Sequence, residues 1–126
     1  MTKGVNRAPS QRQLRVGEEI RHALAQVIER GELHDPVLAG ISITVAEVRV
    51  SPDLRNVTAF VSQLGGGDSA ALLAALKRAE PFIRRRMGQM VRLKFTPKLS
   101  FEADTSYDYA DHIDELLKAV PKPGEG

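Results

Sequence analysis

Residues 41–63, ISITVAEVRVSPDLRNVTAFVSQ, decide the fold. Ile41, Ile43 and Val45 alternate with Ser42 and Thr44, the period of a half-buried strand rich in β-branched residues. The apolar positions then change parity to Ala46, Val48 and Val50. Strict alternation would turn this second set toward water, so the change predicts a β-bulge near residues 45–47. Ser51, Pro52 and Asp53 supply turn chemistry, with proline presetting φ at the second turn position. Val57, Ala59 and Val61 resume a period of two, and the stretch reads as a hairpin.

Upstream, Ser10 and Gln13 form a capping box at the start of a helix. Val16, Ile20, Ala23, Leu24, Val27 and Ile28 make one apolar stripe along it, and Gly31 is its natural stop. Arg12, Arg15 and Arg21 lie off the stripe. Residues 1–9, with Lys3 and Arg7 but no apolar run, read as a flexible basic arm and not as a signal peptide.

Downstream, Gly65, Gly66 and Gly67 lack the Lys-Ser/Thr ending of a Walker motif and read as a flexible connector. Asp68 or Ser69 caps a short helix over residues 70–79. Pro81 lacks a donor and disfavours helical geometry at Glu80, which predicts a break or kink. Ile83, Met87 and Met90 then mark the buried side of a second short helix. Arg85 falls opposite that side, Arg84 flanks it, and Arg86 lies near Phe82, where its stem would snorkel. Residues 91–96 alternate as a strand, Val91, Leu93 and Phe95 on an apolar face and Arg92, Lys94 and Thr96 on a basic one. Pro97 interrupts it at a bulge or an edge, and Leu99, Phe101 and Ala103 resume inward. The expected division is a flexible arm (1–9), a folded domain (10–104), an acidic helix (105–120) carrying Ile113, Leu116, Leu117 and Val120, and a disordered tail (121–126).

At 126 residues, 42% hydrophobic and 27% charged, the chain has the size and composition of one globular domain. Without cysteine it has no disulfide, thiolate zinc site or thiol nucleophile. Its longest apolar run, residues 70–76, is far below the ~18 residues that span a bilayer, and a cytoplasmic protein without membrane contact is expected. Net charge is only +2, yet residues 77–98 hold eight basic side chains against the single acid Glu80. From Phe101 onward the balance inverts, with seven acids against Lys118 and Lys122.

Such a cationic segment on a folded surface suits a polyanion, RNA or DNA. With only 5% aromatic residues and no Trp, phosphate contacts should dominate over base stacking. The expected RNA-binding residues are Lys77, Arg78, Arg84, Arg85, Arg86, Arg92, Lys94 and Lys98, joined by Arg12 and Arg15. The bland alternative is a solvated helix face. Asp108, Asp111 and His112 invite a metal or acid-base reading, since Asp108 and His112 share a helix face, but no nucleophile or third ligand converges with them. Neither catalysis, metal nor cofactor is expected. A protein-interaction module docking an acidic partner is the alternative function.

The order helix, strand, strand, kinked helix pair, strand is that of an α+β, type II KH-like domain. A true KH domain clamps nucleic acid with a Gly-x-x-Gly loop, where this chain has Arg78, Ala79, Glu80 and Pro81. From about Arg12 to Asp104 the chain resembles bacterial ribosome-binding factor A. The resemblance rests on Val48-Arg49-Val50-Ser51-Pro52-Asp53-Leu54-Arg55, on Ile83-Arg84-Arg85-Arg86-Met87-Gly88, and on residues 91–101, VRLKFTPKLSF. Family members usually carry Ala-x-Gly at the interhelical kink, and Ala79, Glu80 and Pro81 stand there, proline making the break by another steric route. The resemblance implies a monomeric assembly factor that binds the immature small (30S) ribosomal subunit and supports late maturation and end processing of its 16S ribosomal RNA. It also implies departure before translation, a late-acting assembly GTPase as partner, and a role in growth at low temperature.

Overall fold

In the computed structural model, which describes residues 8–29 and 33–104, the hairpin forms as β1 (Ile43–Val50) and antiparallel β2 (Asn56–Gln63). The register shifts between Val45 and Glu47, leaving Ala46 as the surplus residue of the expected bulge. Val45 faces Val61 before the shift; Val48 faces Ala59 and Val50 faces Val57 after it. β3 (Lys98–Ala103) lies parallel on the other side of β2, so the sheet order is β1-β2-β3. Its register sets Leu99 beside Val57, Phe101 beside Ala59 and Ala103 beside Val61. Three apolar rows therefore cross all three strands.

Two helices cover these rows. In α1 (Gln11–Glu29) the whole expected stripe is buried, with Gly17 added to it. Ile20, Leu24 and Val27 are completely enclosed, each worth about 1.5–3 kcal/mol of burial. A Cβ on Gly17 would stand 3.2 Å from the Val48 carbonyl oxygen, so glycine here lets the helix lie close against β1. The capping box is present in both directions: the Ser10 N–H donates to Gln13 Oε1 (2.9 Å) and the Gln13 N–H to Ser10 Oγ (3.1 Å). The second helix, α2 (Ser69–Met90), packs on β3 and on α1 and is capped by Asp68, whose side chain accepts from the Ala70 and Ala71 N–H groups.

Two expectations need correction. The short helices foreseen on either side of Pro81 are one helix of 22 residues with proline inside it. Pro81 withholds a single donor, and burial of Leu76 and Ile83 on its two sides holds the helix together across that loss. Residues 91–96 are not a strand. The parallel ladder begins with Asn56 opposite Lys98, so a strand extended upstream would meet the hairpin turn, which offers no edge to pair with. Pro97 thus stands just outside the edge strand β3, where its missing N–H costs no ladder bond.

The element order helix, strand, strand, helix, strand is α+β and KH-like, and residues 78–81, the place of a KH clamp, are inside α2. The basic arm through residue 7, the Gly31 stop, the acidic helix, the tail, and Asp108, Asp111 and His112 lie outside the described residues. Pro81 is exposed, so Pro81→Ala restores a hydrogen bond without overpacking. The expected outcome is a stabilisation of about 1–3 kcal/mol, read as a higher urea midpoint at unchanged slope.

Candidate functional site

Gln13 starts the site. While its Oε1 serves the capping box, its Nε2 donates to the Val50 carbonyl oxygen (2.9 Å), fastening the first turn of α1 to the end of β1. The hairpin turn is held by its own side chains. Ser51 Oγ donates to Asp53 Oδ1 (2.6 Å) and accepts from the Asn56 N–H (3.0 Å), while the Arg55 N–H donates to Asp53 Oδ1 (3.0 Å). This network lets Leu54 adopt a left-handed φ of 62°, a conformation that costs a side-chain-bearing residue roughly 1–2 kcal/mol. The Ser51 hydroxyl, and next the Arg55 amide, hold the Asp53 carboxyl below the usual carboxylate range.

The third wall is the connection 91–97. Arg84 reaches from α2 and donates through Nε to the Pro97 carbonyl (2.9 Å) and through Nη2 to the Thr96 carbonyl (2.8 Å). The Lys98 N–H then donates to the Arg55 carbonyl (2.8 Å), closing the connection onto the far end of the turn. Gly88 allows the approach, since a Cβ there would stand 3.1 Å from Thr96 Oγ1.

Between α1, the turn and this connection lies a groove of about 490 Å³. Arg12, Arg55, Arg92 and Lys94 line it, with Asp53 as its acid and Phe95 as its aromatic side chain. None of the four cations has a carboxylate within ion-pair distance among the described residues. Asp53 is already engaged by Ser51 and the Arg55 amide. The groove consequently keeps a positive field that a chain of phosphates would satisfy.

Of the ten basic residues expected to meet RNA, the structure brings Arg12, Arg92 and Lys94 together. Lys77, Lys98 and Arg15 are exposed but do not line the groove. Arg78 is paired with Asp35 at 3.0 Å, tying α2 to the loop before β1. Arg84, expected to project toward a ligand, instead has its guanidinium on two main-chain carbonyls. Arg85 approaches Phe82, at 5.8 Å from the ring centroid, and Arg86 donates to Gln89 Oε1 (2.7 Å). Arg21 is bound by Glu18 at 2.7 Å, which lowers the Glu18 pKa.

Sequence reasoning missed Arg55 as a site residue and turned Phe95 inward. In the structure Phe95 is 51% exposed, with Arg55 Cζ over its ring at 4.6 Å from the centroid and Lys94 Nζ at 5.6 Å. The available signal was Arg55's place two residues after Asp53, at the exit of the Ser-Pro-Asp turn. Among the described residues no three His, Asp or Glu side chains are grouped to hold a metal, and no helix is long and apolar enough to cross a membrane. Ala79 and Glu80 are half-buried in the middle of α2, away from the groove lining.

A family model described as Ribosome-binding factor A matches residues 12–117. A protein of that name from Paramagnetospirillum magneticum is 59% identical over 119 residues, covering 94% of this chain and 83% of the relative. The crystal structure of ribosome-binding factor A from Thermus thermophilus superposes with a TM-score of 0.63 at 28% identity, over 72% of this chain and 93% of that one. A second set of Thermus thermophilus coordinates, fitted into a cryo-electron-microscopy map of a 30S complex of that factor, gives 0.57 at 30% identity, over 71% and 91%.

Two measurements check the site's construction. Arg84→Ala loses two charge-assisted bonds and should cost about 1–2 kcal/mol in urea unfolding, whereas Arg85→Ala should stay within about 0.5 kcal/mol. Ser51→Ala should raise the Asp53 titration midpoint toward 3.8, followed by carboxyl NMR shifts. The sign is that of a depressed carboxylate: its stabilisation is present above the unfolded pKa and lost as pH falls through the folded one. The variant should therefore lose less stability on acidification than the parent.

Proposed function

This chain belongs to the ribosome-binding factor A family, and from that premise we propose that it binds the immature small ribosomal subunit through the groove described above and promotes late maturation of its 16S ribosomal RNA, including end processing. The observation that carries the proposal is the convergence of Arg12, Arg55, Arg92 and Lys94, from three separate segments, on one groove, with no carboxylate partner among the described residues. The relative fitted into a 30S complex supports the choice of subunit. On this reading the protein acts as a cytoplasmic monomer, is not a catalyst, and supports growth at low temperature. It departs before translation and has a late-acting assembly GTPase as a partner.

The physical account is counterion release. Each phosphate met by a fixed cation frees condensed ions, so binding is tight at low salt and weakens steeply as salt rises. Because the groove walls are held by Gln13, Arg84 and the turn network, the cations are placed before RNA arrives and little further ordering opposes binding. Lys77, Arg85, Arg86, Lys98 and Arg15 extend the basic surface beyond the groove, giving a long-range field that steers the approach.

The test is co-sedimentation with small subunits from a strain lacking this factor. Arg92→Glu combined with Lys94→Glu should lower affinity by at least about tenfold, and the slope of log affinity against log salt should become shallower by about 1.5. The melting temperature should hold, because both side chains are exposed. Unchanged co-sedimentation, or a strain that accumulates no precursor 16S ends, rejects the proposal. Retention that survives nuclease treatment favours docking on an acidic protein.

A further inference from the structure

The groove contains more than phosphate neutralisation needs. Phe95 leaves half its surface to solvent while residues on both sides, Val91 and Pro97, are buried. Exposed rings are ordinary when scattered, but this one lines a concave site among four cations. Arg55 lies over the ring at 4.6 Å, and among the described residues no carboxylate is within ion-pair distance of its guanidinium. A planar guanidinium laid over an aromatic ring makes a flat platform, and both components stack on nucleobases.

Around that platform Arg12, Arg92 and Lys94 supply donors suited to backbone phosphates. A ligand that satisfies both parts must offer a flat unsaturated face and flanking negative charge within one short unit. Duplex RNA hides its base faces inside the helix, and an acidic peptide has carboxylates without the flat face. We infer that the groove holds one unpaired RNA nucleotide, its base stacked on the Arg55–Phe95 pair and its neighbouring phosphates held by Arg12, Arg92 and Lys94. The inference rests on the RNA reading above and specifies its ligand. Since neither a ring face nor a guanidinium face reads hydrogen-bonding edges, the nucleotide is chosen for being unpaired and not for its identity.

The experiment titrates the full chain with a short single-stranded RNA carrying 2-aminopurine at its centre, and with the same strand made abasic there. Stacking should quench the 2-aminopurine emission, and the abasic strand should bind about 5- to 100-fold more weakly. Arg55→Lys keeps the charge but loses the plane, and Phe95→Leu keeps an apolar side chain but loses the ring. Each should abolish the preference for the intact strand while the melting temperature holds. Equal affinity for intact and abasic strands without quenching, alongside normal subunit binding, overturns the nucleotide site and leaves the broader function standing. If the unmodified protein binds neither RNA nor subunits, both fall.

Discussion

The apolar side of β1 can face the core along its whole length only because one residue, Ala46, is surplus to the pairing. An uninterrupted β1 would show either Ile43 and Val45 or Val48 and Val50 to the helices, but not both pairs, and half of the strand's burial would be lost. With the shift in place, the rows Val45–Val61–Ala103, Val48–Ala59–Phe101 and Val50–Val57–Leu99 run across the sheet. The stripe of α1 closes over these rows, and Gly17 sits against the Val48 carbonyl just past the bulge. That seating brings Gln13 to Val50 and Arg12 to the turn. The cationic groove is in this sense downstream of a packing requirement in β1.

Charge clustered in sequence and charge clustered in space are different things here. Residues 77–98 hold eight cations, yet Arg78 serves Asp35, Arg84 serves two carbonyls and Arg86 serves Gln89. Only Arg92 and Lys94 of that run reach the groove, where Arg12 and Arg55 meet them from elsewhere in the chain. Arg84 still matters to the site, since its two bonds fix the wall on which Arg92 and Lys94 are carried. Its contribution is positional.

What could be read from the sequence was whatever short-range physics decides. The Ser10–Gln13 box, the α1 stripe, the Asp68 cap and the bulge each depend on residues a few positions apart, and all are present. The continuous α2 escaped because the penalty at Pro81 is local, while the burial of Leu76 and Ile83 that outweighs it is tertiary. The alternation of residues 91–96 gave the period of a strand, but a strand needs an edge opposite it, and a period carries no information about partners. The Arg55–Phe95 stack joins the hairpin to a connection some forty positions later, so no spacing rule announced it.

The parallel pairing of β3 with β2 has a consequence for the order in which the molecule is made. Hairpin and α1 come from the first half of the chain, whereas the groove's third wall depends on the last strand docking after α2 has crossed between the sheet's neighbouring strands. Such non-local closure is the slow event in folding. A chain that has formed only α1 and the hairpin therefore holds Arg12 and Arg55 without Arg92 and Lys94, and the cationic groove exists only once the last strand is in place.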